Sequence, residues 1–345
     1  MKKALIALAV LGLTGGAAVA QSSVTLFGVL DANVRYTKSS GQTLKKADSG
    51  LNTSRFGVRG TEDLGGGLKA GFWLESEVGV DNGGTGSGTF WARRSTVSLM
   101  GDFGEVRLGR NKTASRLHIE DFDPSQATGM GNVLAVYSSL GSTSSSTSTL
   151  GAGRADNLVS YLTPDNLGGF YAAVDVSAGE GAASNSTTTG KGYYGRAGFK
   201  QGALHVSGAY SSVGANSKYK LAAVGASYDL GYVKPSFNYS QAKYLNRKED
   251  VFTIAATAPL GQGLLMASYT DAKFNNAAET AGISAGDAKL YFVGYVYNLS
   301  KRTALYTTYG TIDNNGAGKF LVAGSPTPTA GRSSSGFDVG IRHSF

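Results

Sequence analysis

The sequence predicts an all-β fold, a sixteen-stranded antiparallel transmembrane β-barrel. Three observations carry that reading: strands of alternating polarity at both ends of the chain, connections that alternate between short and long, and an unusual composition. The chain of 345 residues holds 50 Gly, 18 Tyr and 15 Phe against 6 Pro and no Cys. That mixture fits neither a disordered nor a helical protein. An exported chain without disulfides must draw its stability from size, closure or lipid, and a closed barrel supplies all three.

Export is read from the first residues. Lys2 and Lys3 precede an apolar stretch from Ala4 to Leu13, and small residues end at Ala18-Val19-Ala20. This is the pattern of a secretory signal cleaved before Gln21, which divides the chain into a signal peptide, 1–20, and a barrel domain, 21–345. The apolar stretch falls short of the roughly 20 residues a membrane helix needs, and no later segment approaches that length.

From Val24 to Tyr36 the chain alternates, with Val24, Leu26, Leu30 and Val34 on one face and Thr25, Asp31, Asn33 and Arg35 on the other. Such a period of two separates an apolar face from a polar one. At about 13 residues the segment is longer than the ~5–6 usual in soluble strands and suits a tilted membrane strand of roughly 9–11. Phe337, Val339, Ile341 and Phe345 repeat the pattern at the other end, opposite Asp338, Gly340 and Arg342.

Between these ends the periodicity predicts strands at 51–61, 68–78, 89–100, 105–110, 154–163, 169–177, 192–199, 203–211, 219–228, 232–243, 250–258, 263–271, 288–298 and 303–312. Seven connections are short, such as Gly101-Asp102-Phe103-Gly104 and Lys200-Gln201-Gly202, and eight are long, the longest spanning 111–153. Short turns at one rim and longer loops at the other are the outer-membrane arrangement. Aromatic residues near predicted strand ends, among them Tyr36, Phe72, Phe170, Tyr193, Tyr194, Phe199, Tyr228, Tyr232, Tyr297 and Tyr309, match the two interfacial girdles of such a barrel.

The formal charge is +8, and +6 once Lys2 and Lys3 are removed. The basic residues recur singly rather than in runs, which speaks against a nucleic-acid partner and for anionic solutes. Parity places Arg35 on the inner face of the first strand, Arg55 and Arg59 on the second, Arg107 on the fifth and Arg154 on the sixth. A like-charge cluster repels itself, so its recurrence on neighbouring strands implies a role. The long loop brings Glu120, Asp121 and Asp123; folded inward, these carboxylates would face the arginines across a gap that limits size and favours anions.

Catalysis has poor support. His118, His205 and His343 are the only histidines; His118 lies near Glu120, Asp121 and Asp123, but one histidine with loop carboxylates is a weak acid/base or metal pattern. Neither a cofactor nor a metal is implied, and the chain reads as a channel and not an enzyme.

Four segments in order, Ser23-Val24-Thr25-Leu26-Phe27-Gly28, Ser54-Arg55-Phe56-Gly57-Val58-Arg59-Gly60 with Glu62-Asp63-Leu64-Gly65, Gly101-Asp102-Phe103-Gly104-Glu105-Val106-Arg107-Leu108-Gly109-Arg110, and Gly340-Ile341-Arg342-His343-Ser344-Phe345, resemble the trimeric general porins of Gram-negative bacteria. The resemblance is particularly to the Neisseria-like and Burkholderia-like group, and it covers essentially the whole mature chain. It implies a homotrimer in the cell outer membrane, among lipid and lipopolysaccharide, with the long third loop folded into the pore. It also implies passive diffusion of small hydrophilic solutes and ions, with a preference for anions. Phe345 would be the residue read by the barrel assembly machinery.

Carried over by position, the basic half of the constriction includes Arg55, Arg93 and Arg154, and the acidic half comes from Glu120, Asp121 or Asp123. The family pattern selects Arg93, whereas turning Val97 and Leu99 toward lipid selects Arg94 for the lumen. The loop shows Asp121-Phe122-Asp123-Pro124 where the family has an acidic Pro-Glu-Phe-Gly-Gly signature. Two alternatives stand beside the general pore: a substrate-specific anion channel for phosphate or dicarboxylates, and an outer-membrane barrel enzyme.

Overall fold

A computed structural model describes residues 23–86, 88–142, 153–178, 191–214 and 217–345. The expected signal peptide, 1–20, lies outside the described residues. Seventeen strands form one antiparallel sheet: β1 (Ser23–Ser39), β2 (Gln42–Asp48), β3 (Arg55–Gly65), β4 (Leu68–Glu77), β5 (Arg94–Gly101), β6 (Gly104–Lys112), β7 (Arg154–Leu162), β8 (Phe170–Ser177), β9 (Gly192–Gln201), β10 (Leu204–Val213), β11 (Tyr219–Tyr228), β12 (Lys234–Tyr244), β13 (Arg247–Leu260), β14 (Gly263–Phe274), β15 (Ala288–Asn298), β16 (Thr303–Asn314) and β17 (Ser334–Ser344). Sixteen of them make the wall of a closed barrel, sealed where β1 pairs with β17 from Val29 opposite Ser344 to Ser39 opposite Ser334. Closure leaves the sixteen wall strands each with a neighbour on both sides, as hydrocarbon demands.

The seventeenth strand, β2, is not a wall strand. It folds back on the upper half of β1, while β3 pairs with the lower half, Ser23 to Val29. The turn between them is Ser40-Gly41, both with positive φ (48° and 80°), the geometry that joins two strands across two residues. Periodicity alone reads this stretch as loop.

Most predicted strands lie within a few residues of the observed ones, and two starts move. The segment expected from 51 pairs only from Arg55, and the one expected from 89 only from Arg94. In the second case Phe90 and Trp91 pack on Phe56, with ring centroids 5.9 Å from it, which holds the chain off the ladder.

Alternation holds around the wall: Val24, Leu26, Val34, Phe170, Tyr193 and Tyr309 are exposed outward. Tyr194, one residue from Tyr193, instead points inward and is buried. The inner face is not uniformly polar. Tyr219, Leu221, Leu290, Phe292 and Ile312 are buried there, packed against Ile119, Met130, Val133, Val136 and Leu140 of the long third loop. This loop carries helix α1 (Ala114–Phe122) and two short 3-10 turns. A second short helix, α2 (Asn276–Glu279), caps the rim beside β13.

Two glycines show how closely the loop approaches the wall. A Cβ on Gly225 of β11 would collide with the ring of Phe122, and one on Gly310 of β16 with the backbone of Met130. Glycine is the residue that admits such backbone approach.

Candidate functional site

Thr113 ends the β6 connection and caps α1, its hydroxyl accepting from the backbone N–H of Arg116. The helix packs on β8 to β12. His118, fully buried, ties it to the opposite wall: Nδ1 lies 2.8 Å from Ser207 Oγ on β10 and Nε2 lies 3.0 Å from Asn238 Oδ1 on β12. The neutral ring with its proton on Nε2 satisfies both partners. Burial pushes its pKa down to about 4, against the opposing effect of the Asn238 bond.

Facing the helix, β3 to β7 present a cluster of cations. One cavity of about 440 Å³ is lined by Arg55, Arg93, Arg94, Arg107, Lys112, Arg116 and Arg154, with Glu75 and Glu120 the two carboxylates. Seven positive groups therefore stand against two negative ones along the same lining. Arg93 Nε lies 2.6 Å and Arg55 Nε 3.5 Å from Glu75 Oε1. Arg94 donates to Thr96 Oγ1 at 2.9 Å and stacks over Trp73, 4.4 Å from its centroid. Arg107 pairs with Glu105 at 2.8 Å, and Arg154 Nε donates to the Arg93 carbonyl at 2.8 Å.

On the loop side, Glu120 accepts from Lys112 Nζ and Arg116 Nε, both at 2.7 Å. Burial alone would raise its pKa, but Arg116 and Lys112 hold it below the ordinary carboxylate value, so it is ionised at neutral pH. Arg116 and Glu120 stand four residues apart on one helix face, the spacing at which such pairs meet.

A model of the Gram-negative porin family matches residues 7–317. The chain belongs to that family. This porin is 38% identical to outer membrane porin protein 32 of Delftia acidovorans and 26% identical to a major outer membrane protein P.IB of Neisseria meningitidis serogroup B, with 100% of both chains covered in each case. Among solved structures it is similar to the anion-selective porin from Comamonas acidovorans, with a TM-score of 0.81 and 34% identity over 94% of this chain and 100% of that one. The protein is thus an outer-membrane porin, a β-barrel channel.

Of the residues singled out in the sequence, the fold brings Arg55, Arg93, Arg94, Arg107, Arg154 and Glu120 to one cavity. The choice between Arg93 and Arg94 dissolves, because both line it. Arg93 lies in the bend before β5, outside the strict alternation of the strand, and its backbone N–H reaches Glu75 O. Four other residues of that group sit elsewhere. Arg35 is buried at 2% exposure, bound to Asp338 at 2.8 Å and Asp48 at 3.2 Å, so its charge is neutralised in the wall. Arg59 is exposed and lies over Phe27 and Trp73, 5.3 and 4.9 Å from their centroids.

Asp121 turns to the far side of the helix and pairs with Arg196 at 2.9 Å. Asp123 ends α1 as a buried acceptor for Ser125 N, Ser125 Oγ and Ala127 N, each at 2.9 Å. Burial raises its pKa against those donors. Sequence reasoning missed Glu75, Lys112 and Arg116. Glu75 was within reach, since it shares the inner parity of β4 with Trp73. Phe345 closes the barrel at its short-turn end, where it exchanges two 3.0 Å backbone bonds with Gly28.

Proposed function

We propose that this porin passes small hydrophilic solutes and ions by diffusion, with anions favoured, through a constriction between the arginine wall and the α1 loop. The excess of seven cations over two carboxylates along one cavity carries the reading. Cationic linings favour anions, and the relative from Comamonas acidovorans is itself named as anion-selective. Arg55, Arg93, Arg94, Arg107 and Arg154 would form the basic side, and Glu120, held by Lys112 and Arg116, the acidic residue facing it. Asp121 and Asp123 support the loop from behind, and Arg35 and Arg59 act on the wall and the approach to the gap.

The chain would work as a homotrimer, with Phe345 as the signal for the assembly machinery and residues 1–20 removed on export. The deciding experiment is a planar bilayer recording under a salt gradient. Stepwise conductance with a reversal potential showing greater anion current is expected; a cation-selective potential sinks the anion reading and leaves the porin intact.

A further inference from the structure

The outer wall carries a charged feature that the pore does not use. At the long-loop rim, Lys220 of β11 stands directly opposite Lys243 of β12, which stands opposite Lys248 of β13. All three occupy outward positions. Like charges in direct cross-strand register destabilise a sheet. Lys248 finds Asp250 at 2.7 Å, but neither Lys220 nor Lys243 has a counterion among the described residues. A row of this kind is stable where an external anion bridges it.

Just below the row toward the membrane centre, the wall is dented. A groove of about 870 Å³, within the range of ligand sites, is floored by Ala172, Gly195, Ala197, Gly208 and Ala222 and bordered by Tyr193, Tyr210 and Tyr239. Gly195 and Gly208 lie in strand interiors, where glycine weakens a sheet. Neither has a positive φ, and the nearest atom to an added Cβ is 3.6 Å away at each. The chain's own fold therefore has room for a side chain at both. What the glycines do is keep the groove open on the lipid-facing side.

We propose that this face binds a phosphorylated lipid of the outer leaflet, its phosphate on Lys220, Lys243 and Lys248 and an acyl chain in the groove beneath. Charge complementarity selects the headgroup, since juxtamembrane lysines attract anionic lipids, and the tyrosines mark the interfacial depth at which headgroup meets chain. The inference rests on the outer-membrane placement of the barrel and not on the selectivity of its pore.

The test uses the full mature porin in detergent with diphosphorylated lipid A as the probe. Replacing the three lysines together (K220Q, K243Q, K248Q) weakens binding on the order of 100-fold, from about five-fold per lysine, and dephosphorylating the lipid produces a similar loss on the parent protein. Filling the groove with Gly195→Leu and Gly208→Leu weakens binding several-fold with the lysines intact. Gly195→Ala with Gly208→Ala, for which the Cβ has space, serves if the leucines hinder assembly. Equal binding by the lysine variant, or by the dephosphorylated lipid, overturns the proposal. So does efficient disulfide linkage between copies carrying Ala222→Cys, which would make a second chain the occupant. Single-channel conductance of the variants, unchanged from the parent, keeps this outcome apart from that of the pore reading.

Discussion

Replacing Arg55 and Arg154 together by glutamine removes two of the seven cations lining the cavity of the proposed constriction without touching the loop. An ion passing roughly 6 Å from each side chain feels each charge at about 0.7 kcal/mol in water. Two charges then amount to about 1.4 kcal/mol, a factor of about ten in the local anion concentration. At 0.1 M salt the Debye length is ~10 Å, and screening over 6 Å roughly halves the energy, leaving about three-fold. Cations gain the factor that anions lose, so the anion-to-cation permeability ratio falls about ten-fold at 0.1 M and less at 1 M. The assay is the reversal potential of the double variant and the parent under the same gradient, at two ionic strengths. A ratio that stays constant, or a change insensitive to salt, would refute the assignment of these guanidiniums to the conducting path.

Three further outcomes follow from the same geometry. Glu120 is held below the ordinary carboxylate range by Arg116 and Lys112, so anion preference should stay level as pH falls to about 5 and rise only in stronger acid, when the carboxylate protonates; a rise already between pH 7 and 5 counts against this pairing. His118, with its pKa down to about 4 from an unfolded value near ~6.5, contributes fully above the unfolded value, and acid weakens the tie between roughly pH 6.5 and 4 by up to about 3 kcal/mol. Single-channel current noise should therefore grow over that window, and His118→Ala, which orphans Ser207 and Asn238, should show it at neutral pH. Gly225→Leu places a side chain where Phe122 sits; the loop should lift from β11 and conductance should rise, while a parent-like conductance would mean that the loop does not set the gap.

The barrel was legible because a strand in a membrane wall alternates with a period of two, and that period survives in the primary structure. Parity put Arg35, Arg55, Arg59, Arg107 and Arg154 on the inner face and left Arg93 and Arg94 as alternatives, and the 43-residue interval 111–153 marked the loop. Which of those charges remain available was decided by register. Arg35 stands opposite Asp338, 303 residues away, and nothing in the local pattern of either strand announces that pairing. The loop hid more still. Read as irregular chain, it offers Glu120, Asp121 and Asp123 as equivalents. Folded as a helix, successive residues turn by about 100°, which sends Glu120 toward the arginines and Asp121 to Arg196 behind. The apolar inner patch of Leu290, Phe292 and Ile312 is likewise intelligible only once the loop covers it. Alternation, a local property, specified the wall; the chemistry inside it depended on contacts between distant segments, which only the closed barrel brings together.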